Sequence, residues 1–350
     1  MRYVVLFILL TALSACTFQV QVVTPESPTA TVTSELQSAT PSLSEISTST
    51  PYSLPTNTSV LPAFTPTPLS QNEKTTPIQF GENGTYVDVV DSIPAGTSKT
   101  YSIHAFAGQV MSISILQSLE GDWVSIPMKI VGADGGPLCP SDLKVCYFWR
   151  GVLPTSQNYF VTLTPATSAS NFTMRVAINP PGVATQSFQY LSKNQKVSFS
   201  YSDEFAPVRF PGPQVYKIAS EFALQLIDTK FYTGTNLNEA YFLFGSTNDS
   251  SLVANCTQPT SAGGPEKIIG DVNINGIDFV RSEGAGVATG NIYEQVYYRT
   301  MYNGVCYEII FHMHSSSVGA MPAEWGIKEF DRPALLQKFE AVLSTLNIRE

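Results

Sequence analysis

Short runs of alternating apolar and polar residues constrain the fold of residues 77–180 more than any other feature of this 350-residue chain. Met111, Ile113 and Ile115 alternate with serines, and residues 172–178 show the same period of two. Because successive side chains of a strand point to opposite faces, these runs predict strands with one buried face. Turn residues separate the runs, and no helical window stands out. The spacing predicts a β-sandwich of about a hundred residues.

Residues 195–350 combine strand-like runs with one helical pattern at the end. The strand-like runs are Lys196–Tyr201, Glu221–Asp228, Ala240–Ser246, Ile277–Val280, Ile292–Met301 and Cys306–His314. The helical pattern consists of Leu335, Leu336, Phe339, Val342, Leu343 and Leu346, preceded by Asp331 and Pro333 as start signals. These patterns predict an α+β domain, with an antiparallel sheet closed by a C-terminal helix, and residues 181–194 are predicted to be a short connector. The fold class is therefore multidomain.

The N-terminus has the pattern of an export signal over residues 1–15. One cation, Arg2, precedes an apolar run of about ten residues, whereas a membrane span needs about twenty. Leu13-Ser14-Ala15-Cys16 resembles the lipobox of bacterial lipoproteins, which implies cleavage before Cys16 and a diacylglycerol on its sulfur. An ordinary secretory peptide with a chance cysteine is the alternative. The resemblance implies an extracytoplasmic protein of a bacterial cell envelope. Its N-terminal lipid would attach it to the membrane.

Residues 16–76 follow as a segment that is more than half Ser, Thr and Pro, with few charges. Such a composition does not bury enough apolar surface to offset the entropy of ordering. We expect a disordered linker that holds the folded domains away from the membrane. Low-complexity sequence without a selected role is the alternative interpretation.

Four cysteines remain once Cys16 is assigned to lipid: Cys139, Cys146, Cys256 and Cys306. An even number of cysteines in an exported chain favours disulfides. Of the three connectivities we favour Cys139–Cys146 with Cys256–Cys306, because each pair then lies within one predicted domain. Free buried thiols are the alternative, and zinc is disfavoured because no C-x-x-C spacing or paired His cluster accompanies them.

A family resemblance covers residues 80–178. It rests on Gly96–Gln109 followed by an alternating strand, then Ala133-Asp134-Gly135, Leu153-Pro154 and Tyr159–Leu163. This order of strands and turns resembles the bacterial pre-peptidase C-terminal (PPC) domain. The resemblance implies a jelly-roll-like β-sandwich associated with secretion, stability or polymer binding rather than catalysis, with Tyr101 packed inward. Leu138–Cys146 departs from the pattern. The C-terminal domain is vaguely similar to PsbP/Mog1-like α+β sandwiches.

The charge balance argues against nucleic acid as a partner. The formal net charge is −9 and no segment carries a basic surplus, whereas nucleic-acid binding needs clustered Lys and Arg. Residues 284–290 have the spacing of a dinucleotide-binding glycine motif, but the pattern that follows predicts a strand and not the required helix. We therefore interpret them as a flexible loop or hairpin, and predict no cofactor.

Catalytic candidates are few. His312 and His314 share one strand face and are able to hold a metal, but Glu308 lies about 13 Å away along the strand and no third ligand is evident. The alternative is a solvent-side polar face. No nucleophile elbow or His-Glu-x-x-His motif is present. Glu283, Glu294 and Glu308 offer two carboxylates for a glycosidase acid–base pair, but nothing in the sequence fixes the distance between them. The sequence thus favours a non-catalytic protein.

Aromatic density is the remaining functional signal. Tyr293, Tyr297, Tyr298 and Tyr302 lie in and after one strand-like run, and tyrosine suits binding surfaces and carbohydrate stacking. Ordinary core packing is the alternative. The leading hypothesis is a non-catalytic binding or adhesion module for protein or polysaccharide. The rival hypotheses are a metal-dependent hydrolase centred on His312 and His314, and a structural subunit of an envelope complex.

Overall fold

The structure is a computed structural model that describes residues 75–116, 126–139, 146–165, 170–208, 210, 216–260 and 265–349. The predicted signal peptide, Cys16 and the predicted linker up to residue 74 lie outside the described residues. Within the described ranges, no helix is long and apolar enough to cross a membrane.

The first part of the fold is a sandwich of two four-stranded sheets. Its strands are β1 (Thr75–Pro77), β2 (Tyr86–Ile93), β3 (Lys99–Ala105), β4 (Val110–Leu116), β5 (Met128–Gly132), β6 (Phe148–Val152), β7 (Gln157–Leu163) and β8 (Ser170–Asn179). One sheet has the order β1-β3-β7-β5 and the other the order β2-β8-β4-β6. Successive strands therefore alternate between the sheets, which is a jelly-roll-like arrangement. This confirms the predicted β-sandwich.

The period-two runs account for the core of the sandwich. Met111, Ile113 and Ile115 of β4 point inward and are buried, as are the alternate residues of β8. Tyr101 of β3 packs into the same core, as expected, and its hydroxyl donates to Asp91 Oδ2 at 2.8 Å. Burial and this hydrogen bond raise the pKa of the Tyr101 phenol. A buried hydroxyl is thereby satisfied at the edge of the core.

The second part contains ten strands and two α-helices in its described residues. The strands are β9 (Ser187–Leu191), β10 (Val197–Ser202), β11 (Phe205–Val208), β12 (Phe222–Leu226), β13 (Leu237–Thr247), β14 (Glu266–Ile274), β15 (Ile277–Ala288), β16 (Asn291–Tyr302), β17 (Val305–Ser316) and β18 (Asn347–Ile348). The helices are α1 (Ser250–Ala254) and α2 (Arg332–Leu343), with 3-10 turns at Thr229–Phe231, Val318–Ala320 and Ala323–Trp325. An antiparallel sheet has the order β11-β12-β13-β17-β16-β15-β14, and a small sheet has the order β18-β10-β9.

Helix α2 closes one face of the seven-stranded sheet, which we call the helix face. Asp331 caps the helix by accepting a hydrogen bond from Ala334 N at 3.0 Å. Leu335 and Phe339 are buried, and the Phe339 ring lies 5.1 Å from that of Phe311 on β17. The antiparallel sheet with a C-terminal helix is confirmed, because the apolar residues at helical spacing all face one side.

Two local expectations need correction. The predicted connector 181–194 contains a strand, β9, which pairs with β10. The glycine-rich run 284–290 is only partly a loop, because residues 284–288 belong to β15. Thr289 and Gly290 have φ values of 50° and 80° and turn the chain directly into β16. The hairpin interpretation is therefore confirmed, and the flexible-loop interpretation is wrong for the strand residues.

Both predicted disulfides are present. Cys139 and Cys146 join with Cα atoms 6.1 Å apart, and Cys256 and Cys306 join with Cα atoms 5.5 Å apart. The first closes a short ring beside β5, where Cys146 pairs with Met128. The second ties the segment after α1 to the start of β17. Each bridge therefore lies within one part of the fold.

The sandwich and the second part share a buried polar junction. The Arg150 guanidinium of β6 donates to Ala184 O at 2.6 Å and to Asp203 Oδ1 at 3.3 Å, and Asn179 of β8 donates to Asp203 Oδ2 at 2.8 Å. At a second point the Arg175 guanidinium lies 4.5 Å from the Phe188 ring of β9. Both contacts join strands of the sandwich to the part that follows.

Candidate functional site

The face of the seven-stranded sheet opposite α2 is rich in polar and aromatic residues, and we call it the histidine face. Its central residues are Glu239, Tyr241, Tyr293, Gln295, His312 and His314. Tyr241 and Gln295 flank His312 on the neighbouring strands, while Glu239 and Tyr293 flank His314. Directly paired residues point to the same face, so these side chains converge. Register, rather than sequence proximity, assembles the group.

His312 lies under a cover of aromatic side chains and is only 7% exposed. The Tyr216 hydroxyl lies 2.7 Å from its Nδ1, and the Phe210 ring lies 5.4 Å from the imidazole. The predicted solvent-side position is therefore wrong for His312. Phe210 and Tyr216 come from the chain before β12, and the alternation within β17 carries no information about which segment covers that face.

Burial determines the protonation states of His312 and Tyr216. It lowers the pKa of His312 to about 4, and the nearby His314 acts in the same direction. Burial also raises the pKa values of the Tyr216 and Tyr241 phenols. His312 is therefore neutral and Tyr216 protonated at pH 7. The Tyr216 hydroxyl then donates to Nδ1, which leaves the imidazole proton on Nε2.

The depressed pKa predicts a pH-dependent stability. In the unfolded chain histidine titrates near 6.5, so between pH 6.5 and about 4 the unfolded chain binds more protons than the native one. The contribution of His312 to the free energy of unfolding is therefore complete above pH 6.5. It is lost as the pH falls toward 4, a change on the order of 3 kcal/mol. We expect H312Q to flatten this part of a curve of unfolding free energy against pH, measured by urea denaturation.

His104 provides the control for that experiment. Its side chain is exposed on β3, where the ring contacts Asn158 and the edge of Phe106. H104Q is expected to follow the wild-type curve. A wild-type curve that stays flat between pH 6.5 and 4, or an H312Q curve as steep as that of wild type, would contradict the prediction.

His314 lies at the open end of the histidine face and is partly exposed. Its ring stacks on Tyr293 with centroids 4.4 Å apart and planes 14° apart. Its Nδ1 lies 3.2 Å from Glu239 Oε1, and its Nε2 lies 2.9 Å from Asn291 Oδ1 and 3.3 Å from Asn238 Nδ2. We call Asn238, Glu239, Asn291, Tyr293 and His314 the rim cluster. It combines two stacked rings, a carboxylate and two amides at one edge.

The two histidines do share a strand face, as predicted, but three of their four ring nitrogens have other partners. His312 Nδ1 contacts Tyr216, and both ring nitrogens of His314 contact the rim cluster. Among the residues that the structure describes, no group of three or more His, Cys, Asp or Glu side chains is arranged to hold a metal ion. The metal-site hypothesis thus finds no third ligand there.

The sheet separates Glu308 from the other two carboxylates considered as a glycosidase pair. Glu308 points to the histidine face, whereas Glu283 and Glu294 are paired in register with the helix-face residues Val296 and Met313. Glu294 forms an ion pair with Arg332 at 2.8 Å. Glu283 and Glu294 therefore share the helix face, but Glu283 is also engaged in an ion pair, with Arg281 at 2.5 Å. Both of these carboxylates are bound by arginines, and Glu308 lies on the other face.

Glu308 belongs instead to a buried ion cluster with Arg299 and Glu266. Arg299 is 1% exposed, donates from Nε to Glu308 Oε1 at 2.6 Å and forms an ion pair with Glu266. Burial raises the pKa of Glu308 against the opposing effect of Arg299. Burial acts in the same sense on Glu266, but its hydrogen bonds, chiefly from Arg299, lower its pKa overall.

The buried ion cluster also positions neighbouring segments. Glu308 Oε2 accepts from the backbone N of Ile218 at 3.0 Å, and Glu266 Oε2 accepts from that of Thr260 at 2.8 Å. The first bond anchors the chain that carries Tyr216 over His312. The cluster thus supports the histidine face from one side.

The four candidate tyrosines do not form one surface. Tyr293 belongs to the rim cluster, Tyr297 is buried on the histidine face, and Tyr298 is buried on the helix face. Tyr302 lies at the opposite end of β16, next to the turn into β17. Sequence reasoning missed Asn238, Glu239 and Asn291, because only strand pairing brings them to Tyr293 and His314.

No family model and no curated protein matches the chain, so the resemblance to the PPC domain stays a prediction. Among solved structures, the periplasmic inhibitor of g-type lysozyme PliG from Aeromonas hydrophila is 19% identical, with a TM-score of 0.25 over 30% of this chain and 96% of that chain. PliG from Salmonella Typhimurium is 18% identical, with a TM-score of 0.24 over 30% of this chain and 98% of its own. A mutant PliG from Escherichia coli is 13% identical, with a TM-score of 0.23 over 31% and 99%. No functional conclusion rests on this similarity.

Proposed function

We propose that this protein is an extracytoplasmic lipoprotein, anchored to a bacterial cell envelope through Cys16, that acts as a non-catalytic binding module. The export signal and Leu-Ser-Ala-Cys motif support the anchor. The two disulfides support an oxidising compartment outside the cytoplasm. Its ligand is a polysaccharide or a protein, and the chemistry of the rim cluster favours the polysaccharide.

The rim cluster is the observation that carries this proposal. Sugars present apolar C–H faces that pack on aromatic rings, and hydroxyls that pair with carboxylates and amides. Tyr293 and His314 supply stacked rings at a partly exposed edge, with Glu239, Asn238 and Asn291 around them. Strand register sets the positions of Glu239, Asn291, Tyr293 and His314, so these four groups are preorganised.

A neighbouring loop extends the same edge. It starts at Ser317, whose N donates to Gly290 O of the β15–β16 turn at 2.8 Å, and reaches Lys328, which pairs with Thr235 just before β13. Trp325 in this loop is 65% exposed. An exposed tryptophan next to the strand ends of a polar cluster is a typical anchor for a ligand.

A glycan array tests the proposal, using a soluble form of residues 16–350 that carries C16S. We expect binding of at least one class of glycan, with Y293A weakening the affinity at least about tenfold, or 1.4 kcal/mol. Tyr147, which is exposed on the sandwich, gives the matched control Y147A, with unchanged affinity. Absence of wild-type binding to any glycan would refute polysaccharide as the ligand, and equal binding by Y293A would refute the rim cluster as its site.

A protein ligand gives a different result in the same system. A protein captured from intact cells by wild type, and lost with Y293A but not with Y147A, would assign the rim cluster to protein binding instead.

The hydrolase alternative requires His312 to be open to a substrate, whereas its ring is buried beneath Tyr216 and Phe210. We therefore prefer the binding module.

A further inference from the structure

The glycine-rich end of β15 lies on the histidine face, beside the rim cluster. Three of its positions are paired with residues of β16: Gly284 with Gln295, Gly286 with Tyr293, and Ala288 with Asn291. Directly paired residues point to the same face of a sheet, so β15 places no side chain larger than a methyl group next to these three residues. We call the space above Gly284, Gly286 and Ala288 the β15 groove. It extends roughly 14 Å along the strand.

The backbone of β15 does not need glycine at these positions. Neither Gly284 nor Gly286 has a positive φ, and the register with β16 continues without a bulge. Glycine weakens a regular strand, and apart from bulges and bends it marks places where a ligand or another chain approaches the backbone closely. The bare positions therefore leave space on the histidine face and do not relieve strain.

The Tyr293 ring forms one wall of the β15 groove. Its ring and that of His314 have centroids 4.4 Å apart and planes 14° apart, which is a face-to-face stack between neighbouring strands. His314 of β17 lies on one side of β16, and Gly286 of β15 lies on the other side. The second face of the Tyr293 ring therefore points over Gly286, and both residues are partly exposed.

Gln295 places an unpaired acceptor at the inner end of the groove. It is 5% exposed, and among the residues that the structure describes its Oε1 has no hydrogen-bond partner. A Cβ atom at Gly284 would lie 3.7 Å from this oxygen and 3.4 Å from the Tyr297 ring. The oxygen thus lies beside the bare position, and Tyr297 closes the groove there. A buried oxygen without a donor costs free energy, which a hydroxyl of a ligand would recover.

We propose that the β15 groove is the main subsite of the glycan-binding site, and that it takes a neutral, β-linked chain of glucose-configured pyranose rings. This inference rests on the proposed function. Such a ring carries its hydroxyls equatorially and presents flat C–H faces, which stack on an aromatic ring when no side chain fills the space beside it. The second face of Tyr293 over Gly286 meets that condition, and a hydroxyl of the chain donates to Gln295 Oε1.

The charges at this end of the sheet select against acidic sugars. Glu266 of β14 lies opposite Gly284, and its cation Arg299 is already shared with Glu308. Glu239 lies on the other side of the Tyr293 and His314 stack. A uronic acid would bring a further carboxylate between these groups, where like charges repel.

Isothermal titration of the soluble form with cellohexaose and with N-acetylchitohexaose tests the proposal, because the two chains share the ring geometry and differ in one substituent. Wild type is expected to bind at least one of them and not hexagalacturonate. G286V fills the space beside Tyr293 with a residue that strands favour, and it is expected to weaken the affinity at least about tenfold. The neighbouring Ala285 points to the helix face, so A285V is the matched control with unchanged affinity.

Q295L tests the acceptor separately. It removes Oε1 at similar volume and is expected to weaken the affinity about threefold or more. Far-UV circular dichroism confirms that each variant is folded, and Q295L decides if G286V does not fold. Unchanged affinity in folded G286V or in Q295L, with binding still lost in Y293A, overturns the groove and leaves the rim cluster as the glycan site. Binding of hexagalacturonate, or of neither glucose-configured chain, overturns the ligand class, whereas absence of binding to any glycan overturns the proposed function itself.

Discussion

Replacing Arg299 with methionine (R299M) is expected to lower the free energy of unfolding at pH 7 by about 3–5 kcal/mol. Arg299 is almost completely buried and is the shared cation of Glu266 and Glu308. Methionine fills a similar volume but leaves two carboxylates in the interior without their partner. Burial already raises the pKa of Glu308 in the intact cluster, so its charge depends on Arg299. Urea denaturation at equilibrium measures the loss.

The pH dependence of R299M distinguishes charge burial from simple loss of packing. Without Arg299, the folded-state pKa of Glu308 rises further above its unfolded value, so the cost of the charged form is greatest above that pKa and fades as the pH falls through it. The deficit relative to wild type should therefore be smaller at pH 4 than at pH 7. An equal deficit at both values would contradict this account.

Arg281 supplies a matched control on the adjacent strand β15. It forms an ion pair with Glu283, but its side chain is 27% exposed and that of Glu283 is 35% exposed. Partly exposed pairs of this kind contribute at most about 1 kcal/mol. R281M is therefore expected to cost much less than R299M, and a cost of similar size would show that burial is not the reason for the effect.

Removing the Cys256–Cys306 bridge with C256A/C306A is expected to cost about 4 kcal/mol. The bridge spans 50 residues, and closing a loop of that size lowers the entropy of the unfolded chain substantially. It also ties the segment after α1 to β17, next to Ile218. Urea denaturation of the soluble form gives the difference from wild type.

The shorter bridge provides the comparison. Cys139 and Cys146 are separated by 7 residues, for which the same relation gives about 2.4 kcal/mol. C139A/C146A should thus be the milder variant. If it destabilised the protein more than C256A/C306A, loop closure would not be the dominant contribution of these bridges.

Local patterns predicted most of the fold correctly because they report local geometry. The alternation of Met111, Ile113 and Ile115 follows from the strand period, and the buried set of Leu335 and Phe339 follows from the helical period. The disulfide pairing also followed from chain order, since each pair lies within one predicted domain. The fold class therefore needed little more than periodicity and the number of cysteines.

The errors concern residues whose environment is built by distant segments. β14 was not predicted, because the residues on both sides of Gly270 do not alternate and its register shifts there. His312 was placed on a solvent-facing side, although Phe210 and Tyr216, about a hundred residues earlier in the chain, cover it. Periodicity shows which side chains share a face, but not what lies over that face.

The sequence by itself determined the strand and helix periods and the even set of four cysteines, since each depends on residues that are close in the chain or simply counted. It also predicts the export signal that precedes Cys16. Only the tertiary structure decided which polar residues meet. Strand register between β13, β16 and β17 brings Glu239 and Asn291 to His314, and the sheet order leaves β14 at an open edge. Both depend on contacts between residues far apart in the chain, which no local pattern records.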